Sequence, residues 1–351
     1  MPVYLDATTF LAASESETIV DVRSPAEFQQ GHIPGAINIP IFSDEERAEV
    51  GTLYVQSGRD HAIIRGLDII LPKTGRILRD ISKKTHGRNL YIYCWRGGMR
   101  SLNMAWMFET NGYRTTLLTG GYKAYRKFIR ASFDEPANVV IVGGFTGSGK
   151  TEVLNKLEEI GEQVIDLEAL ASHKGSAFGG IGLPDQPTNE QFENNLFSIW
   201  QQLDKEQFIW MEDESRMIGR VTMPDPVIRK IHGAPLVILE VPKEVRVERL
   251  VGEYAGINDQ LLCEAVMKIE TRLGKQRAQG ALVSIREKDY AAVANQVLSY
   301  YDETYSFSIH RRENQKRYTF PVNVFDAREI AIGLAEFARK TLKNGSDLPR
   351  L

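Results

Sequence analysis

The chain has 351 residues, 42% hydrophobic and 25% charged, with a formal net charge of −3. That is an ordinary globular composition, long enough for two domains with a core each. It excludes a disulfide framework or multi-cysteine zinc site, because Cys94 and Cys263 are the only cysteines. It also excludes a coat for nucleic acid, whose affinity comes mainly from neutralised phosphates.

No apolar run approaches the roughly 18 residues of a membrane span. The start, Met1 to Asp6, lacks the basic and apolar regions of a signal peptide. A cytoplasmic protein is expected. Basic stretches at Lys83 to Arg88, at Arg126-Lys127 with Arg130, and from His310 to Arg317 read first as solvated surface and second as local contacts for a polyanion.

In chain order, β-branched runs at Ile19 to Val22, Ala36 to Ile39, Leu90 to Tyr93 and Thr115 to Leu118 predict strands in an α/β rhythm. Ser24-Pro25-Ala26-Glu27 opens a helix, with Pro at its first position and Glu placed to close a capping box. The polar stretch from Ser43 to Asn89 is a helical insert whose composition assigns it no task. Charge and a proline at residues 133–138 mark a linker, and Val139 to Val142 starts a second series of strands. Further strands are expected at Gln163 to Asp166, Phe208 to Met211 and Pro235 to Val241, then helices through about Tyr305 and a frayed tail from Asn344. The division is therefore 1–132, linker 133–138, 139–245, and a helical extension 246–351 packed on the third segment.

Leu90 to Tyr93 delivers Cys94 at a strand end, followed by Trp95, Arg96, Gly97, Gly98, Met99, Arg100 and Ser101 before an apparent helix, Leu102 to Asn111. Glycines let backbone N–H groups curl around one point, the helix start adds its positive end, and Arg96 and Arg100 add charge. Such a loop binds an anion and favours a thiolate. A cysteine ending a buried strand is otherwise a small core residue, but glycines and arginines serve no packing purpose there. Asp21-Val22-Arg23, Glu27-Phe28 and Gly31-His32-Ile33-Pro34-Gly35-Ala36 precede it. Together these motifs resemble the rhodanese family over roughly residues 3 to 130. Sulfurtransferase loops of that superfamily commonly have one residue fewer between Cys and the last Arg. The Cys-x5-Arg spacing also resembles rhodanese-related phosphatases, although Tyr93 stands where those usually have histidine.

Val139 to Gly143 leads into Gly144-Phe145-Thr146-Gly147-Ser148-Gly149-Lys150-Thr151 and then a helical run. This is a P-loop: backbone N–H groups cradle phosphate oxygens, Lys150 supplies charge, and Thr151 is placed to hold Mg²⁺. Glu212-Asp213-Glu214 at a strand end is a second acidic element for a metal or its water. Asp166-Leu167-Glu168 and His173-Lys174-Gly175-Ser176 form a further polar group that could face the same crevice; the competing readings are ordinary strand-end solvation and a structural histidine.

The fusion, with Glu212-Asp213-Glu214-Ser215-Arg216 and the two preceding motifs, resembles the bacterial tRNA 2-selenouridine synthase family over nearly the full length. The implied fold is α/β: an N-terminal rhodanese-like domain plus a P-loop NTPase-like parallel-sheet domain with a helical C-terminal extension. The implied activity replaces sulfur by selenium at wobble 2-thiouridine of tRNA, through an S-geranyl intermediate made from geranyl diphosphate, with selenophosphate as donor. Lys150 and Cys94 are then catalytic, Cys94 receiving selenophosphate or carrying selenium, and a selenophosphate-producing enzyme is an expected partner. Asp166, His173, Lys174, Glu212, Asp213 and Arg216 are candidates for metal or substrate. Two other readings stay open: an ATP-dependent tRNA sulfurtransferase with a Cys94 persulfide, and a regulatory phosphate-binding module. The P-loop motif does not distinguish geranyl diphosphate from a nucleotide.

Overall fold

A computed structural model describes residues 2–85 and 87–342. The tail from Asn344 and His86 lie outside the described residues. Two compact units are present: one runs through Ser132 and takes in Glu193–Ser198, and the other comprises Phe133–Phe192 and the chain from Ile199 onward. Division by sequence order places Glu193–Ser198 in the second part. Arg126 on the last helix of the first unit explains its grouping, since its buried guanidinium bonds Glu193 and Asn194.

The first unit runs β1 (Val3–Leu5), α1 (Ala7–Ala13), β2 (Thr18–Asp21), α2 (Pro25–Gln30), β3 (Ile37–Asn38), α3 (Asp44–Gln56), α4 (Arg59–Ile70), α5 (Thr74–Lys84), β4 (Asn89–Tyr93), α6 (Met99–Glu109), β5 (Arg114–Leu118) and α7 (Gly121–Ser132). Its parallel sheet has the order β1-β5-β4-β2-β3. Strands covered on both faces need nearly continuous apolar side chains, as in Leu90, Ile92 and Tyr93, all fully buried. From β2 the chain crosses to one side of the sheet and from β4 to the other. The carboxyl ends of these neighbours form a topological switch point, and Cys94 lies there. The insert after Ser43 is helical as expected. Ser43 caps it, accepting from the Glu46 N–H at 3.3 Å while Glu46 accepts from the Ser43 N–H at 2.8 Å.

The second unit contains β6 (Asn138–Gly144), α8 (Lys150–Glu159), β7 (Gln163–Ile165), α9 (Leu167–Ala171), α10 (Asn189–Trp200, its middle grouped as above), β8 (Phe208–Glu212), a hairpin of β9 (Met217–Ile218) and β10 (Val221–Thr222), α11 (Asp225–Gly233) and β11 (Leu236–Glu240). There follow α12 (Lys243–Ala255), α13 (Asp259–Lys268), α14 (Glu270–Leu273), α15 (Lys275–Arg286), α16 (Tyr290–His310), β12 (Arg317–Pro321) and α17 (Ala327–Phe337). The parallel order is β12-β11-β6-β8-β7, with β6 central and α8 and α17 over a core that includes Val140, Trp210 and Leu334. Helices α12 to α16 share a separate core around Leu262, Val266 and Val297.

The chain after residue 246 is not solely a helical extension, which corrects the expectation. Arg317 to Pro321 alternates polar and apolar residues and pairs with β11, Thr319 opposite Ile238. Pro321 is tolerated because the strand is an edge. The structure also changes the basic stretches. Arg126 is buried, and Arg312 forms a 2.5 Å ion pair with the buried Asp213. Neither is a solvated cation.

Candidate functional site

In the first unit the loop after β4 is held from below. Gly97 has φ +63° and Gly121 has φ +61°. A Cβ on Gly97 would lie 2.8 Å from the Leu118 carbonyl, and one on Gly121 would collide with the Cys94 carbonyl and the Gly97 nitrogen. Only glycine permits both the backbone conformation and this approach. The first N–H groups of α7 add support, Tyr122 to the Cys94 carbonyl at 2.8 Å and Lys123 to that of Trp95 at 3.0 Å. Sequence reading missed this prop, although Thr119-Gly120-Gly121-Tyr122 carries a turn signal.

Cys94 is 2% exposed, and its Sγ lies 3.2 Å from the Ser101 hydroxyl, which also reaches the Gly98 carbonyl at 3.0 Å. Rotation of that hydroxyl lets it donate either to the carbonyl or to a thiolate. Gly98 precedes α6 and Met99 opens it. Arg100 does not add an unshared charge to the loop, because it bonds Glu27 at 2.7 and 3.4 Å. Burial works against the Glu27 carboxylate, but Arg100, the Ser24 N–H and Arg47 outweigh it and hold the acid below its ordinary range. The Asp21–Arg23 pair is architectural. Arg23 bonds Asp21 at 2.6 Å and lies 3.9 Å from the Tyr122 ring centroid.

A cavity of about 630 Å³ opens beside Cys94, lined by Trp95, Arg96, Gly98, Met99 and Arg100 on one side and by α3 and α4 on the other.

In the second unit the P-loop follows central β6. Gly149 has φ +75°, and Phe325 packs where a side chain would stand. Gly147 packs against Arg246, whose guanidinium bonds the Thr146 carbonyl at 3.2 Å. The Gly144 N–H donates to the Tyr305 hydroxyl at 2.9 Å, and Lys150 Nζ reaches the Gly144 carbonyl at 3.2 Å. Thr151 donates to Glu168 at 2.8 Å.

The acids divide differently from the sequence reading. Asp166 caps α9 through the Ala169 N–H at 2.7 Å. Asp213 is engaged by Arg312 and by Tyr305 at 2.9 Å. Glu212 is 1% exposed and accepts from the Glu168 N–H at 2.6 Å, leaving its other oxygen unpartnered. Burial, followed by the charges of Asp166, Glu168 and Glu214, drives Glu212 well above the ordinary carboxylate range and favours its protonated form. The acids interacting with Lys150 and Thr151 are instead Glu214 and Glu168. Burial, then Glu168, pushes Glu214 up to about 8, while Lys150 pulls it down.

The remaining candidates have other partners. Arg216 pairs with Asp225 at 2.5 Å, and Lys174 approaches Glu253 at 3.8 Å. His173 has a buried, unpartnered Nδ1; burial, then Lys268, lowers its basicity. Among the described residues no group of three or more His, Cys, Asp or Glu side chains is arranged to hold a metal ion.

Two cations escaped sequence reading. Arg246 and Arg249, three apart on α12, flank the P-loop and pair with Asp302 at 2.9 Å and Glu152 at 2.6 Å. Their Nε atoms and the Ser148 hydroxyl are buried without hydrogen-bond partners. An arginine pair at i, i+3 just after a strand was the available signal.

Comparison with known families accords with both halves. The rhodanese-like domain family matches residues 6–128, and the family described as tRNA 2-selenouridine synthase AAA domain matches residues 137–322. A tRNA 2-selenouridine synthase of Bdellovibrio bacteriovorus is 34% identical, the match covering 84% of this chain and 89% of the relative. One from a Sulfurovum species is 34% identical, covering 91% and 94%. One from Pseudomonas syringae pv. tomato is 32% identical, covering 88% and 92%. With a thiol loop on the rhodanese-like sheet and a phosphate cradle on the second, the chain belongs to the tRNA 2-selenouridine synthase family.

Proposed function

We propose that this enzyme replaces sulfur by selenium at wobble 2-thiouridine of tRNA in two steps, alkylation at the P-loop and selenium insertion at Cys94. Its family membership makes it a tRNA-modifying transferase. In the first step the thiocarbonyl sulfur attacks C1 of geranyl diphosphate, the S–C bond forms, and pyrophosphate leaves with the electron pair of the broken C–O bond. In the second, the selenium of selenophosphate attacks C2, geranylthiolate departs, and water cleaves the Se–P bond to release phosphate.

One observation carries the phosphate assignment: the unpartnered donors Ser148 Oγ, Arg246 Nε and Arg249 Nε surround the cradle. Buried donors without acceptors cost stability unless a ligand satisfies them. Lys150 and the P-loop amides would stabilise charge growing on the leaving diphosphate. A magnesium ion fits Thr151 and Glu168, with Glu214 able to join by losing its proton, because Mg²⁺ takes only one or two protein carboxylates beside phosphate oxygens. It would neutralise leaving-group charge. Selenium insertion would fall to the unit that runs through Ser132 and alkylation to the P-loop unit. A selenophosphate-producing enzyme would supply the donor.

The deciding assay gives the purified protein 2-thiouridine tRNA with geranyl diphosphate, then selenophosphate, and follows both products by mass spectrometry. S-geranylated followed by 2-selenouridine tRNA is the expected result. ATP cleavage with no prenylated product would replace this reading by an ATP-dependent sulfurtransfer.

A further inference from the structure

The insert between β3 and β4 leaves unusual apolar surface around the thiol. Helix α3 is 13 residues long yet has no buried residue. With α4 it walls the cavity of about 630 Å³ beside Cys94, in which Phe42, Val50, Tyr54, Ile63, Leu67 and Met99 contribute apolar surface. Tyr54, Leu67 and Met99 remain 59%, 43% and 40% exposed. The arginines among the lining residues are Arg47, Arg59, Arg96 and Arg100. A selenophosphate needs only the anion loop. It would leave most of this volume, which lies within the roughly 300–1,000 Å³ common for organic ligands, in contact with water.

A fitting ligand therefore carries a hydrocarbon body on a reactive polar end. The reaction sequence above creates such a ligand, the S-alkylated uridine. We propose that the cavity between α3 and α4 holds the prenyl chain of S-geranylated uridine and so places its C2 next to the Cys94 loop. This rests on the two-step reading. It divides recognition of one reagent, the diphosphate by the P-loop unit and, after alkylation, the hydrocarbon by the insert. When the C2–Se bond forms and the C2–S bond breaks, the departing thiolate keeps the electron pair and the chain stays in the cavity until release.

The test uses the full chain and calorimetric titration with S-geranyl- and S-methyl-2-thiouridine nucleosides. Wild type should bind the geranyl form at least about tenfold more tightly, since burying two methylenes already corresponds to more than that factor. Leu67→Glu puts a charge on a half-exposed wall position, and Ile63→Phe fills the cavity without adding charge. Each should erase the preference while leaving methyl-nucleoside affinity within about twofold. Ile64→Glu alters an exposed neighbour outside the lining and should change neither affinity. Equal wild-type affinity for the two nucleosides, or a geranyl preference surviving both wall variants in folded protein, overturns the proposal. Tight, wall-dependent geranyl binding without selenium insertion into S-geranylated tRNA would instead sink the two-step reading, and the cavity's place in it.

Discussion

Lys150→Ala should separate the two proposed steps. In the cradle Lys150 bonds the Gly144 carbonyl, while Arg246 and Arg249 are paired with Asp302 and Glu152. The lysine charge is therefore the most available one for a departing diphosphate. Removing one donor from a preorganised anion site costs about 10²–10³ in rate, or ~2.7–4 kcal/mol. Here the loss should reach the upper part of that range, because Lys150 also holds down Glu214, the carboxylate proposed to join Glu168 at magnesium, and the variant pushes it further toward its neutral form. Single-turnover S-geranylation of a 2-thiouridine anticodon stem-loop should thus fall about 10³-fold. Selenium insertion into a stem-loop already S-geranylated should stay within about threefold of wild type. Circular dichroism and melting establish that the variant is folded. A folded variant that loses both steps equally, or loses less than tenfold in geranylation, refutes the division of labour.

Cys94→Ser should abolish selenium insertion and leave S-geranylation within about twofold; normal 2-selenouridine yield in product digests would remove the thiol from the mechanism. Glu214→Gln should flatten the stability profile. Because Glu214 rises from its ordinary 4.5 to about 8, the folded protein holds a proton that the unfolded chain has released between those values. Wild-type stability therefore declines as pH rises across that window, and superimposable melting profiles for the two proteins would assign the titration elsewhere. Arg312→Ala strands the fully buried Asp213 and should cost about 3–5 kcal/mol in urea unfolding. A loss below about 1 kcal/mol would return Arg312 to the set of surface cations.

The Cys94 and P-loop positions were legible because each joins a buried strand to a glycine-rich turn and a helix, all within about a dozen consecutive residues. Local spacing alone defines such motifs. The rhythm of β-branched runs likewise indicated two α/β units, since doubly covered strands must be apolar throughout. Strand β12 escaped notice because its five residues carry only a weak period-two pattern beside a basic stretch.

What only the tertiary structure decided was which of several equivalent side chains faces the chemistry. In sequence, Glu212, Asp213 and Glu214 are three adjacent carboxylates. In the fold, Arg312 and Tyr305, 99 and 92 residues away, engage Asp213, burial raises Glu212 above the ordinary carboxylate range, and Glu214 is left to interact with Lys150. Arg246 and Arg249 come to the P-loop from about 100 residues downstream, and the insert acquires its cavity only when α3 and α4 meet the Cys94 loop. Charge pairing and desolvation act through space, so residue type and local spacing name the candidates, while long-range packing determines their protonation and partners.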